Sequence, residues 1–324
     1  MLDPLVWVRM IHFTAAMAVT GAVIFLGFVA EPAFREAKAS GRMVADLRRR
    51  LAAISWISLA IAIVSGVAWL FWQAAQMADL PLAEAWSEGT AWTVLSETDF
   101  GQAWTARLVI AGLLGAALPW LAVANPVLSR QRAAVAMALA AALVGTLAWA
   151  GHAASGTGVS GGIHLAADVL HLIAGAAWVG ALVPLALLLR AALADPGHVS
   201  FTIASAGVLR FSTLGIASVA TLLISGSVNT WVLAGSIPAL VDTDYGRVLL
   251  TKIALFLAML AFAAVNRLRL TPRLTSVSGA DAARAALGQI QRNTLVEAVL
   301  GAIVIAIVSV LGTMPPGLEA QVAN

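Results

Sequence analysis

His164, Asp168 and His171 stand at i, i+4 and i+7. In a helix that spacing puts two imidazoles and a carboxylate on one face. Gly175 and Trp178 extend the same stripe, and His171 lies about 10 Å along the axis from His164 at 1.5 Å per residue. His152 occurs in Gly-His-Ala-Ala-Ser-Gly-Thr-Gly, a glycine-rich stretch that can bring it back towards His164, and His12 falls in an early apolar stretch. Imidazole nitrogen is a good ligand for Cu, Zn, Fe or Ni. A carboxylate beside it either ligates as well or holds a ring N–H. The candidate metal ligands are therefore His12, His152, His164, Asp168 and His171. There is no cysteine, which excludes disulfides, thiolate sites and cysteine redox chemistry. Met10, Met17, Met259 and Met314 could supply thioether sulfur to a soft cuprous ion, but no Met-x-x-x-Met pair occurs.

These residues must be carried by membrane helices. The chain has 324 residues, 61% apolar and 11% charged, against about 25% charged in a soluble domain. Eight apolar stretches reach the length of about 20 residues that a bilayer requires: 5–30, 51–74, 104–124, 133–151, 164–189, 203–227, 248–266 and 293–313. The expected fold is all-α, a polytopic membrane protein with eight transmembrane helices. Fourteen Lys/Arg residues fall in alternate gaps, six of them in 31–50 and five in 267–292, and the intervening gaps hold only Arg247. Positive charge marks the cytoplasm, so the expectation is N-out/C-out. Four of the five histidines then lie on the outer side, and His198 reads as a solvated loop residue. The first stretch lacks a basic lead and precedes a basic loop, the reverse of a cleavable leader, and reads as a retained span. No Walker-type loop and no soluble domain able to bind ATP is present.

The halves resemble each other at an offset near 160. His12 matches His171, Gly21 matches Gly180, Arg50 matches Arg210, and Ser65-Gly66 matches Ser225-Gly226. At a shorter offset, Thr98-Asp99-Phe100-Gly101 with Arg107 matches Thr243-Asp244-Tyr245-Gly246 with Lys252. Four helices per half give both halves the same orientation, so the expected architecture is two parallel four-helix repeats. Sites in such proteins lie at the repeat interface. The expected division is 1–158 and 159–324, with an acidic segment at 75–103 carrying Asp79, Glu84, Glu88, Glu97, Asp99, Trp86 and Trp92, read as interfacial helix.

Simpler roles compete for several polar residues. Any single histidine can be an interhelical hydrogen-bonding group. Arg9 holds the repeat position of Asp168, so the two could form a buried pair. Arg107, Arg247 and Lys252 read as snorkelling interfacial residues, Asn229 and Asn266 as caps or interhelical contacts, and Glu297 as an acid near a helix N-terminus.

At His171-Leu-Ile-Ala-Gly-Ala-Ala-Trp-Val-Gly180 the chain resembles the CopD/PcoD copper-resistance family of bacterial inner-membrane proteins. The resemblance strengthens at Asn229-Thr-Trp-Val-Leu-Ala-Gly-Ser236 and Thr243-Asp-Tyr-Gly-Arg-Val-Leu-Leu-Thr-Lys252. It continues through Ala264-Val-Asn-Arg-Leu-Arg-Leu-Thr-Pro-Arg273 to Leu311-Gly-Thr-Met-Pro-Pro316. Residues 159–324 are the CopD-like core, and 75–103 becomes a periplasmic segment. The resemblance implies copper handling at the inner membrane, beside a periplasmic copper-binding partner of the CopC type. The leading expectation is a copper transport or homeostasis protein, not an enzyme. It would capture periplasmic copper at His152 and His164 and pass it to His171 and His12, with Asp168 compensating charge. The alternative is a membrane redox protein holding haem b between His12 and His171. That family is also similar in helical plan to membrane cytochromes b.

Overall fold

The computed structural model describes residues 3–87, 89–119, 128–151, 158–195, 197–275 and 279–316. Every regular element among them is helical: α1 Pro4–Ile24, α2 Glu31–Glu36, α3 Arg42–Ala78, α4 Leu82–Ser87, α5 Thr90–Glu97, α6 Asp99–Ala117, α7 Leu128–Gly145, α8 Gly158–Trp178, α9 Leu182–Ala194, α10 His198–Ala234, α11 Ile237–Asp242, α12 Asp244–Val265, α13 Thr271–Thr275 and α14 Ala280–Leu311. With no water in a bilayer core, backbone groups must bond within their own segment, which helices achieve. α1 and α2 are joined through a π-helical turn at Phe25–Ala30, and α12 and α13 through another at Asn266–Leu270.

Seven helical runs among the described residues are long and apolar enough to cross a membrane: Pro4–Glu36, Arg42–Ala78, Arg130–Ala150, Gly158–Ala194, His198–Ala234, Asp244–Leu274 and Ala280–Leu311. Eight were expected. The stretch expected at 104–124 is occupied by α6, which carries Gln102 and Arg107 in its first half and ends beside residues outside the description. Length and hydropathy therefore do not single it out. Val64, Ile224, Trp231 and Leu268 are exposed, as lipid contact requires.

Two features fix the packing around the site. α1 runs against α3, α7, α8 and α14, so it touches both halves of the chain. At its crossing with the α8–α9 junction the backbones meet directly: a Cβ built on Gly21 would strike the main chain of Gly180, and one on Gly180 would strike the Met17 carbonyl. Glycine is the residue type that permits such an approach between membrane helices. The largest apolar cluster includes Phe25, Leu51, Trp178, Leu188, Met259 and Ile290. It gathers the helix ends that adjoin the basic segments, called the basic end below.

The acidic segment forms the short helices α4 and α5, with Trp86 and Trp92 exposed and Trp86 stacked 4.3 Å from Phe71. Glu88 lies outside the described residues.

Candidate functional site

α6 and α12 begin alike. Thr98 Oγ1 accepts the Gly101 amide at 3.0 Å, and Thr243 Oγ1 accepts the Gly246 amide at 3.0 Å. A Cβ on either glycine would meet carbonyl oxygens of the preceding short helix, so each Thr-Asp-aromatic-Gly motif folds a short helix tightly onto a long one. These starts aim Arg107 and Lys252 into the protein.

The two deep histidines are held in the same manner. His171 Nδ1 lies 3.0 Å from Ser225 Oγ, whose own proton goes to the Thr221 carbonyl at 2.6 Å. With the serine proton on that carbonyl, Nδ1 donates to the serine oxygen and Nε2 carries the lone pair. His12 Nδ1 lies 2.9 Å from the Ala62 carbonyl and 3.2 Å from Ser65 Oγ. A carbonyl only accepts, so here too Nε2 carries the lone pair. Gly66 and Gly226 lie against the Cε1 atoms of the respective rings, leaving room for imidazole beside the backbone. Fixing one ring nitrogen this way is how a protein selects the tautomer of a metal-binding histidine.

The surroundings of the two rings differ. His171, His164 and Asp168 line one cavity of about 580 Å³, together with Lys252 and Arg9. Its walls come from α1, α8, α10, α11, α12 and α14. Along α12 it reaches from Tyr245 to Met259, about 21 Å by helical rise. Towards the basic end Trp178 and Phe256 meet edge to face at 6.0 Å. Asp168 Oδ1 accepts a 3.0 Å bond from Asn229 Nδ2, and its charge interacts with Lys252. The cavity thus offers two imidazoles, a carboxylate and two cations.

His12 does not line it. Its ring is 2% exposed and lies edge-on to Trp69 at 5.5 Å, and its Nε2 has no hydrogen-bond partner. It borders a separate pocket of about 10 Å³ shared with Arg107. Arg9 and Arg107 both lie over the Trp69 ring, at 4.9 and 5.6 Å. A metal cation at His12 would sit among guanidinium charges, and no carboxylate among the described residues lines its pocket.

The structure thus brings His164, Asp168 and His171 together and leaves His12 apart, while His152 lies outside the described residues. Among the described residues no three His, Cys, Asp or Glu groups stand close enough to hold a metal ion. Of the expected ligands that are described, His164, Asp168 and His171 share a cavity and His12 lies outside it. Because His12 and His171 serve different spaces, the arrangement does not fit haem b ligated by that pair.

Several simpler readings are corrected. Arg9 and Asp168 do not pair: Arg9 Nη1 donates to the Ala150 carbonyl at 3.4 Å instead. Arg107 does not snorkel. It is 3% exposed and donates to Thr146 Oγ1 and O at 3.0 and 2.8 Å. Lys252 faces the cavity. Asn229 is a contact to Asp168 rather than a cap. Glu297 lies 17 residues beyond the start of α14 and is 2% exposed, too far along for the end of the helix to matter. A usable signal for Lys252 existed in the sequence: it aligns with Arg107 while Asp168 aligns with Arg9, so the second half sets an acid against its base where the first half has two bases.

A family model described as copper resistance protein D matches residues 206–311, and one described as copper resistance protein D-like, N-terminal domain, matches residues 1–163. Copper resistance protein D of Pseudomonas syringae pv. tomato is 32% identical over 339 aligned positions, covering 98% of this chain and 99% of that protein. Inner membrane protein YebZ of Escherichia coli K12 is 30% identical, covering 95% and 97%. Copper transport protein CutJ of Bacillus subtilis 168 is 36% identical over 119 residues, 37% of this chain and 21% of that protein. No solved structure matches. With full-length similarity and both family models in register along the sequence, the chain belongs to the copper resistance protein D family.

Proposed function

We propose that this protein transports copper across a bacterial inner membrane, taking the metal from the periplasmic face into the cavity lined by His164, Asp168 and His171. One observation carries the reading: His171 Nδ1 is engaged by Ser225, which frees Nε2 to act as a ligand atom in a cavity that His164 and the Asp168 carboxylate also line. Family membership supplies copper as the metal, and the Escherichia coli relative's name supplies the inner membrane. His164 takes copper at the cavity's far end from the basic segments, and His171 receives it deeper. His152 joins His164 at capture, and His12 remains a second imidazole in the first half.

The reading includes eight spans in two parallel repeats, with the basic end in the cytoplasm and both termini outside. The matching Thr-capped starts of α6 and α12, and the matching His–Ser–Gly contacts, support the repeat. A periplasmic partner of the CopC type would deliver copper to the outer mouth. Haem b keeps no geometric support in this arrangement.

Copper content of the purified protein tests the site. His171→Ala and His164→Ala should each lower loading by about tenfold or more, while His12→Ala retains most of it. The magnitude is the usual loss when a ligand or its immediate support is removed. Equal, near-zero loading in the wild type and all three variants would end the proposal.

A further inference from the structure

Beneath the cavity lies a polar cluster that the copper site does not use. Asn266 opens the π-helical turn after α12, seven residues past Met259, about 10 Å further towards the cytoplasm. Its Nδ2 donates to Glu297 Oε1 at 2.9 Å, and its Oδ1 accepts from Asn293 Nδ2 at 2.7 Å. The Asn266 carbonyl accepts both the Thr271 amide, as the π-type bond, and the Thr271 hydroxyl at 2.8 Å. Such turns concentrate at functional sites. On the same stretch of α14, Thr294 is fully buried and its Oγ1 has no hydrogen-bond partner. One helical turn above Glu297, Gly301 lines the cavity floor with Met259, whose methyl a Cβ at Gly301 would meet.

Glu297 is 2% exposed and forms no ion pair among the described residues. The elements packed against α14 bring Arg190 on α9, Arg267 and Arg269 in the π turn, and Arg273 on α13, all at the basic end. Arg267 is engaged with Ser212. Towards the outer end stand Arg9 and His12 on α1, and Tyr245 and Lys252 on α12. α14 itself adds Asp281, Arg284 and Arg292, and Arg284 donates to the Leu193 carbonyl.

A carboxylate at this depth without a cation is electrostatically incomplete. One positive charge completes it, and the cluster's chemistry says which. The side chains linked to Glu297 are amides and offer no imidazole or thioether, so the cluster is not a second copper site of the kind the cavity provides. The Asn266 oxygen is already occupied by Asn293.

We infer that Glu297 is a proton-exchange site that couples copper passage to proton movement. This rests on the transport reading above. Glu297 accepts a proton on a carboxylate oxygen, forming an O–H bond. When a copper cation leaves the cavity floor inward, it competes for the same negative charge. The O–H bond then breaks and the proton passes to water in the cavity above, opposite in direction to the copper, so one proton is exchanged for each copper ion and no electrons are transferred. Asn266 and Asn293 hold the carboxylate in place.

The test uses the full-length protein in liposomes containing a pH-sensitive dye, with copper supplied as the cupric salt or, with ascorbate, as cuprous ion. Wild type should move protons in the direction opposite to copper, and its copper uptake should vary with pH. Glu297→Gln keeps the shape of the side chain and should still move copper, with proton flux lost and the pH profile flattened. Copper uptake by the wild type without proton movement overturns the inference and leaves the transport reading standing. Absence of any copper uptake overturns both. Unchanged proton flux in Glu297→Gln also overturns it. If that variant fails to fold, the wild-type measurement alone decides.

Discussion

Asp168 and Arg9 hold equivalent positions in the two halves of the sequence and have opposite effects on a cation. Asp168 shares the cavity with Lys252, with which its charge interacts, and is steadied by Asn229. Replacing it with asparagine preserves shape and removes the negative charge, so copper affinity should fall about 10–100-fold, read by competition with a chromophoric chelator. Unchanged affinity would assign Asp168 a purely structural part. The i, i+4, i+7 pattern was legible because a helix converts spacing directly into a shared face. The companions of His12 were not. Sequence shows how deep Arg9 and Arg107 lie, but not that both turn onto Trp69 or that His12 turns towards Ala62 on α3. Glu297 was misread for a related reason: Arg284 and Arg292 mark the interface, but α14 starts further back, at Ala280.

Helix positions were the most legible part of the fold, because a run of apolar residues long enough for a bilayer has few alternatives. Less legible were the breaks within them. Nothing in the composition of Phe25–Ala30 or Asn266–Leu270 announces a π turn. The α8–α9 break is intelligible only once Gly180 is seen against Gly21. Gly180→Ala should destabilise the protein by about 1–3 kcal/mol, the usual range for overpacking, read as a lower thermal midpoint in detergent. The backbones cannot separate without disturbing Met17 and Trp178. An unshifted midpoint would mean the crossing can open cheaply. At the start of α10, Asp195 accepts from the Ser200 hydroxyl and the Gly197 amide, which hold its carboxyl below the ordinary value of 3.8. Whatever it contributes is present above that value and is lost as pH falls through the lower folded one.

For the whole molecule, the orientation proposed above from the alternation of charge can be checked cleanly because the sequence has no cysteine. Ser40→Cys, beside the first basic segment, should resist a membrane-impermeant maleimide in intact spheroplasts, whereas Ser96→Cys, in the acidic segment, should react. The reverse pattern would invert the topology and place the cavity mouth in the cytoplasm. What the sequence could not show at this scale is that the halves border spaces of very different size. A repeat predicts two similar chambers, yet the second half borders a space of about 580 Å³ and the first a pocket of about 10 Å³.

The wall of the larger chamber includes Arg9, Phe13 and Met17, all from α1. A gene cut between the codons for Gly151 and Gly158 should therefore behave as a complementation pair. The carboxy-terminal fragment produced alone would lack one side of its own chamber and load no copper, and co-production with the amino-terminal fragment should restore loading.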